Sequence, residues 1–196
     1  MQTVGGWGTS GFRIRRATLA DIDAVMRVNL ESLPENYWRG FYAYILENWP
    51  ESFLVAEADG EIVGYALSRV EEHRDPVLLG LASELDDTGT GSVRRILDAL
   101  NSFLSESKPV GHLVSIAVLE EYRGRGIGKT LLQETIRVMR DIYKTVSIYL
   151  EVRVSNERAI RLYEKMGFKK VRLVPGYYRD GENAWVMVLR LLPVDS

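Results

Sequence analysis

Gly111-His112-Leu113-Val114-Ser115-Ile116-Ala117-Val118 continues through Leu119-Glu120-Glu121-Tyr122 into Arg123-Gly124-Arg125-Gly126-Ile127-Gly128-Lys129-Thr130. The first part is a short apolar run with β-branched residues and predicts a buried strand. The last part is glycine-rich and basic, and it leads into Leu131, Leu132, Ile136 and Met139, an apolar face at helical spacing. A strand, a glycine turn and a helix N-terminus together make an anion site. Free backbone N–H groups and the positive end of the helix dipole point at the ligand.

The anion is narrowed by spacing. A nucleotide P-loop needs G-x-x-x-x-G-K-[ST], and Arg123 stands where its first Gly belongs. The dinucleotide pattern G-x-G-x-x-G fails because Lys129 follows Gly124 and Gly126 in place of the third Gly. R-x-x-G-x-G does fit, from Arg123, Gly126 and Gly128. This resembles the pyrophosphate-binding motif of the GNAT superfamily of acyl-CoA N-acyltransferases. A solvated loop before a helix could carry the same residues, so the remaining sequence has to decide.

Outward from that stretch, Phe12 to Ala17 reads as a first strand, and Thr18 with Asp21 as a helix N-cap pair. Leu19, Ile22, Val25, Met26 and Leu30 give one apolar helix face that ends before Leu33-Pro34. Trp38 to Asn48 predicts a second helix, with Phe41, Tyr42, Ile45 and Leu46 buried. Phe53 to Glu57, the Asp59-Gly60 turn and Ile62 to Val70 predict a β-hairpin. Residues 71–109 read as an insert with one amphipathic helix carrying Val93, Ile96, Leu97, Leu100, Phe103 and Leu104, too short for a core of its own.

After the central helix, Val146 to Val152 predicts a strand. Asn156 opens a helix with Ala159, Ile160, Tyr163 and Met166 on one face, closed by Gly167. Phe168 to Val174 and Ala184 to Leu191 form a closing hairpin. The order β-α-α-β-β-insert-β-α-β-α-β-β is a mixed α/β layer fold.

That order is similar to the GNAT fold, which implies a mixed central β-sheet flanked by helices on both faces. The helical insert would then lie between the third and fourth strands. The expected organisation is a flexible tail over residues 1–11 and one domain over residues 12–192. Leu162-Tyr163-Glu164-Lys165-Met166-Gly167-Phe168, preceded by Asn156, resembles the coenzyme A-side helix of the family. Four further stretches resemble the archaeal-type protein N-terminal α-acetyltransferases: Leu33-Pro34-Glu35-Asn36-Tyr37, Gly111 to Val118, Tyr149-Leu150-Glu151-Val152-Arg153, and Gly176-Tyr177-Tyr178-Arg179-Asp180-Gly181-Glu182. The insert is longer than expected for that group.

The resemblance implies acetyl transfer from acetyl-CoA to the α-amino group of a protein or peptide. It gives Glu151 and His112 the role of general base through water, and places the Tyr163 hydroxyl beside the thioester sulfur, where it donates a proton to the departing thiolate. A backbone N–H of Ile116, Ala117 or Val118 would meet the acetyl carbonyl. The turn Arg123, Gly124, Arg125, Gly126, Ile127, Gly128 and Lys129 would hold the pyrophosphate, with Asn156 and Tyr163 also touching coenzyme A. Glu35, Tyr37, Tyr177 and Tyr178 would wall a groove for the peptide N-terminus. Without that resemblance, Glu151 reads as a solvated strand residue, His112 as a strand-edge histidine and Tyr163 as a core aromatic.

Composition bounds the alternatives. The chain has 196 residues, net charge −2, no cysteine and two histidines. Thiolate metal sites, disulfides and a cysteine nucleophile are excluded, so direct transfer in a ternary complex is expected rather than an acyl-enzyme. No metal is expected, because His112 and Glu151 fall short of the three ligands a catalytic zinc needs. The net charge gives no reason to bind DNA, and no apolar run is long enough to span a membrane. Met1 to Gly11 lacks the basic and apolar regions of a signal peptide, so a cytoplasmic protein is expected. The resemblance leaves room for a ribosome or an auxiliary subunit as partner. Two rivals stay open: a lysine or small-amine acetyltransferase of the same fold, and a non-catalytic acetyl-CoA-binding module.

Overall fold

The computed structural model describes residues 11–74 and 107–191. Seven strands form one sheet in the order β1-β2-β3-β4-β5-β7-β6. They are β1 (Arg13–Arg16), β2 (Phe53–Ala58), β3 (Glu61–His73), β4 (Lys108–Val118), β5 (Ser147–Arg153), β6 (Lys169–Val174) and β7 (Ala184–Arg190). Four helices accompany them in the described residues: α1 (Ile22–Ser32), α2 (Arg39–Asn48), α3 (Ile127–Asp141) and α4 (Glu157–Lys165). The sheet is mixed. β4 and β5 run parallel, while β1–β2, β2–β3, β5–β7 and β6–β7 are antiparallel. The expected tail and most of the insert, with its amphipathic helix, lie outside the described residues.

The described residues fall into two compact units, one of residues 11–69 with 113–138, the other of residues 70–74 and 107–112 with 139–191. The first is built on hydrophobic helix faces set against the β2–β3 hairpin strands. Ile22, Val25 and Val28 of α1 and Tyr42 and Ile45 of α2 are fully buried, and the Tyr42 ring lies 6.3 Å from that of Phe53. Sequence periodicity found this face but misjudged its edges. Leu19 and Leu30 are 64% and 70% exposed, while Val28 and Asn29 are buried in their place. A 3.6-residue repeat fixes the direction of a face, and its width depends on what packs against it.

Thr18 and Asp21 do open the helical segment, though as a short 3-10 turn over Leu19–Asp21 ahead of α1. The Thr18 backbone N–H donates to Asp21 Oδ2 at 2.7 Å. The Arg15 guanidinium grips both Asp21 oxygens, at 2.7 and 2.8 Å. Chiefly because of Arg15, and against the opposing effect of burial, the Asp21 carboxyl is lowered to about 2. A carboxyl lowered on folding adds stability above its unfolded pKa and loses it as pH falls through the folded value. Asp21→Asn is therefore expected to destabilise the protein by about 1–2 kcal/mol at neutral pH. In thermal melts the deficit should shrink from about pH 4 downward and close near pH 2. A deficit independent of pH would mean that the carboxylate charge is not what matters there.

The second unit is organised by β5. Every residue from Ser147 to Arg153 pairs with β7, from Arg190 back to Ala184. On its other side β5 pairs with β4 only from Val110↔Ser147 to His112↔Tyr149, and the ladder stops there. Val110, Tyr149, Val186 and Val188 form a buried cluster beneath this junction. β3 runs to His73, past the expected end at Val70, and β4 starts at Lys108 rather than Gly111. Strand structure therefore takes both ends of what the sequence assigns to the insert.

Candidate active site

In the second unit, the register of β4 and β5 puts His112 opposite Tyr149, and their rings stack at 4.3 Å with planes 12° apart. Two residues along β5, on the same face, comes Glu151. Its Oε2 is 3.0 Å from His112 Nε2. The expected pair of Glu151 and His112 is thus in direct contact, with side chains only 17% and 12% exposed.

A second carboxylate completes the cluster. Glu71, near the end of β3, places Oε1 3.3 Å from His112 Nδ1. Its Oε2 accepts the Tyr149 hydroxyl at 2.6 Å and lies 2.7 Å from His73 Nε2. Both histidines of the chain therefore meet Glu71. The His112 contact, opposed by burial and helped by Tyr149 and His73, holds the Glu71 carboxyl well below the usual carboxylate range. Burial pulls His112 down, but Glu151 and Glu71 outweigh it and the ring is raised above its ordinary value. The sequence pattern gives neither Glu71 nor Tyr149 a role in the site. Among the described residues, no group of three or more His, Asp or Glu side chains is arranged to hold a metal ion.

Elsewhere in this unit, Asn156 caps α4 by accepting the Ala159 N–H at 3.1 Å. Tyr163 lies on the buried face of α4, 5.8 Å from the Phe168 ring, and burial pushes its hydroxyl pKa up. Tyr177 and Tyr178 sit on the β6–β7 loop as an edge-to-face pair at 5.0 Å. Arg153, also missed from sequence, ties that loop to β5. It bonds Asp180 and Glu182, each at 2.7 Å, and its guanidinium covers the Tyr178 ring at 4.0 Å.

In the first unit, β4 carries Ile116, Ala117 and Val118, and the basic turn follows. Arg123 Nε donates to the Val118 carbonyl at 3.0 Å, which folds the turn back on its strand. Gly124 and Gly126 have φ of 82° and 87°, and an added Cβ at either would meet nothing within 4 Å. Glycine is needed there for backbone shape, not for room. Arg125 stacks its guanidinium on Tyr122 at 4.8 Å. Ile127 is buried and starts α3, so Gly128 and Lys129 fall in the first helical turn, where backbone N–H groups lack intrahelical partners.

The Glu35 loop of this unit is held from below. Buried Asn29 donates Nδ2 to the Glu35 carbonyl at 3.0 Å and to the Tyr65 hydroxyl at 2.8 Å. Tyr65 in turn meets Ser115 Oγ at 2.7 Å. Tyr37 stacks on Phe41 at 4.8 Å. Glu35 and Tyr37 belong to the first unit and Tyr177 and Tyr178 to the second.

A family model described as the acetyltransferase (GNAT) family matches residues 22–168. The chain belongs to the GNAT family. The N-alpha-acetyltransferase of Sulfurisphaera tokodaii is 40% identical to this GNAT chain over 180 residues, 92% of this chain and 93% of the relative. The N-alpha-acetyltransferase of Saccharolobus solfataricus is 40% identical over 176 residues, 90% of this chain and 91% of its own. Among solved structures, Ard1 from Thermoplasma volcanium superposes with a TM-score of 0.70 at 27% identity, covering 93% of this GNAT chain and 99% of Ard1. No helix among the described residues is long and apolar enough to cross a membrane.

Proposed function

We propose that the chain transfers the acetyl group of acetyl-CoA to the α-amino group of protein or peptide N-termini. One observation carries this reading: over nine-tenths of their length, relatives named for that activity share 40% of their residues with this chain. The lysine and small-amine alternatives have no observation of that weight behind them.

The chemistry asks for a neutral amine, a polarised thioester carbonyl and a stable leaving thiolate. A peptide α-amine has a pKa of about 7.7–8.0, so a carboxylate suffices to draw off its proton. Glu151 takes that role, with His112 bonded to it. The basic turn from Arg123 to Lys129 holds the pyrophosphate of coenzyme A through glycine-backbone N–H groups and the α3 N-terminus. A backbone N–H within Ile116, Ala117 and Val118 meets the acetyl oxygen as charge develops on it.

The proton drawn off the ammonium passes through water to Glu151, the neutral nitrogen bonds the acetyl carbon as the C–S bond breaks, and the second proton it sheds is taken up by the departing sulfur. A thiol has a pKa of about 8.5, so that sulfur takes the proton readily, with the Tyr163 hydroxyl donating a hydrogen bond to it as charge develops. A phenol whose pKa burial has raised stays protonated through the neutral range, which suits a donor better than an acid. Asn156 adds a contact to coenzyme A. Tyr177 and Tyr178, on the β6–β7 loop of the unit that holds Glu151, contact the first residues of the peptide. The site works without a metal, in a cytoplasmic setting where nascent chains supply the N-termini, with the ribosome or an auxiliary subunit as presenting partner.

The test is acetyl transfer to short peptides that differ in their first two residues, with the acetyl group located by mass spectrometry. Transfer to the α-amine, none to a peptide with a blocked N-terminus and a free lysine, and rates unchanged by a chelator are expected. Acetyl found only on lysine would move the substrate class. Coenzyme A binding without transfer to any amine would make the chain a binding module.

A further inference from the structure

His112 faces a carboxylate oxygen at each ring nitrogen, Glu71 at Nδ1 and Glu151 at Nε2. An ionised carboxylate only accepts hydrogen bonds, and a neutral imidazole has one N–H to give. A neutral ring would therefore turn a lone pair toward one of the two carboxylates. Tyr149 donates its hydroxyl to Glu71 Oε2, which His73 Nε2 also approaches, and this leaves Oε1 to face His112. These contacts hold the Glu71 carboxyl below its usual range and ionised, so both its oxygens accept and Nδ1 carries a proton. With Glu151 ionised, so does Nε2.

We propose that Glu71 is the positioning residue of this site: its carboxylate keeps His112 a doubly protonated, oriented imidazolium and leaves Glu151 as the group that accepts the amine proton. The inference rests on the acetyl-transfer reading and sharpens it, because a ring with both nitrogens donating has no lone pair with which to act as a base. His112 instead supplies a fixed positive charge. Beside an arriving ammonium that charge favours the neutral amine, the form that attacks. The ring is kept flat against Tyr149, whose hydroxyl ends on the same Glu71, so one carboxylate sets both rings. Among the described residues, the titratable groups that meet this cluster are Glu71 and His73 from β3 and Tyr149 and Glu151 from β5. β7 places Val186 and Val188 opposite Glu151 and Tyr149, and neither ionises.

The decisive measurement is the ¹⁵N chemical shift of the imidazole nitrogens in the labelled full chain, with His112→Asn used to assign the two histidines. In the wild type both His112 nitrogens should keep imidazolium shifts at pH 7, where a free histidine is mostly neutral. In Glu71→Gln the His112 midpoint should fall by about one pH unit or more. For that variant kcat at pH 7 should drop by roughly tenfold, with KM for peptide and for acetyl-CoA within about twofold. Glu71→Asp, which keeps the charge, should hold the ring protonated. A neutral, single-tautomer His112 in the wild type at pH 7 overturns the proposal even if Glu71→Gln does not fold. A midpoint equal in wild type and Glu71→Gln overturns it as well. Neither readout depends on acetyl transfer, so a wild type that transfers nothing would sink the proposed activity while leaving these shifts to judge Glu71.

Discussion

Glu151→Gln is expected to lower kcat for α-amine acetylation by about 10²–10³-fold at pH 7. The substitution is close to isosteric, and its amide oxygen can still accept His112 Nε2–H, now at 3.0 Å from Glu151 Oε2. Only the charge and the proton-accepting capacity are lost. Melting temperature and KM for acetyl-CoA should therefore stay near the wild-type values, which separates lost chemistry from lost structure. The deficit should also narrow as pH rises. A peptide amine with a pKa of about 8 deprotonates by itself above that value and needs the carboxylate less. Rates measured from neutral to mildly alkaline pH test both points. A variant with unchanged kcat would remove Glu151 from the chemistry, and a deficit constant with pH would give it a role other than proton acceptance.

Gly126→Val should act on the co-substrate side, raising KM for acetyl-CoA by at least about tenfold. Gly126 has a φ of 87°, where a β-branched residue is a steric outlier costing of order 1–3 kcal/mol. The chain would escape by moving the turn, and the Thr130 N–H and hydroxyl, both bonded to the Gly126 carbonyl, would move with it. The N–H groups proposed to hold the pyrophosphate would then no longer converge. Because open space surrounds the position, a clash with packed neighbours does not complicate the outcome. Calorimetric titration with coenzyme A reads the effect directly. Wild-type affinity would mean that the anion is held elsewhere.

The sequence shows the strands and helices well where local rules govern them. The turn from Arg123 to Lys129 is legible because positive-φ glycines at fixed spacing and the start of a helix are local properties. Glu151 and His112 are legible because each stands inside a short stretch with a family likeness, and the structure joins them. Glu71 is not legible. It begins the polar run Glu71-Glu72-His73, which breaks the apolar pattern of β3 and reads as the strand's end, so it falls in the expected insert. Its meaning comes from a partner 41 residues away, across a strand pairing that no local pattern encodes. Arg153 is a milder case. It lies within a quoted stretch, yet its function as a tether depends on Asp180 and Glu182, 27 and 29 residues on. Leu19 and Leu30 show the same limit in the helices, where periodicity cannot tell how far a neighbour reaches.

The place of β7 carries a consequence for how the protein is made. It is the last of the described strands and yet it lies inside the sheet, between β5 and β6, with a ladder on each side. During synthesis β5 leaves the ribosome with Glu151 in hand but without the neighbour that matches it residue for residue. β6 emerges next, and its only ladder is the one it will later make with β7. Until residues 184–190 clear the exit tunnel, both strands present unsatisfied edges, the state in which strands recruit other chains. The strand that carries Tyr149 and Glu151 can thus reach its paired form only once residues 184–190 have been made.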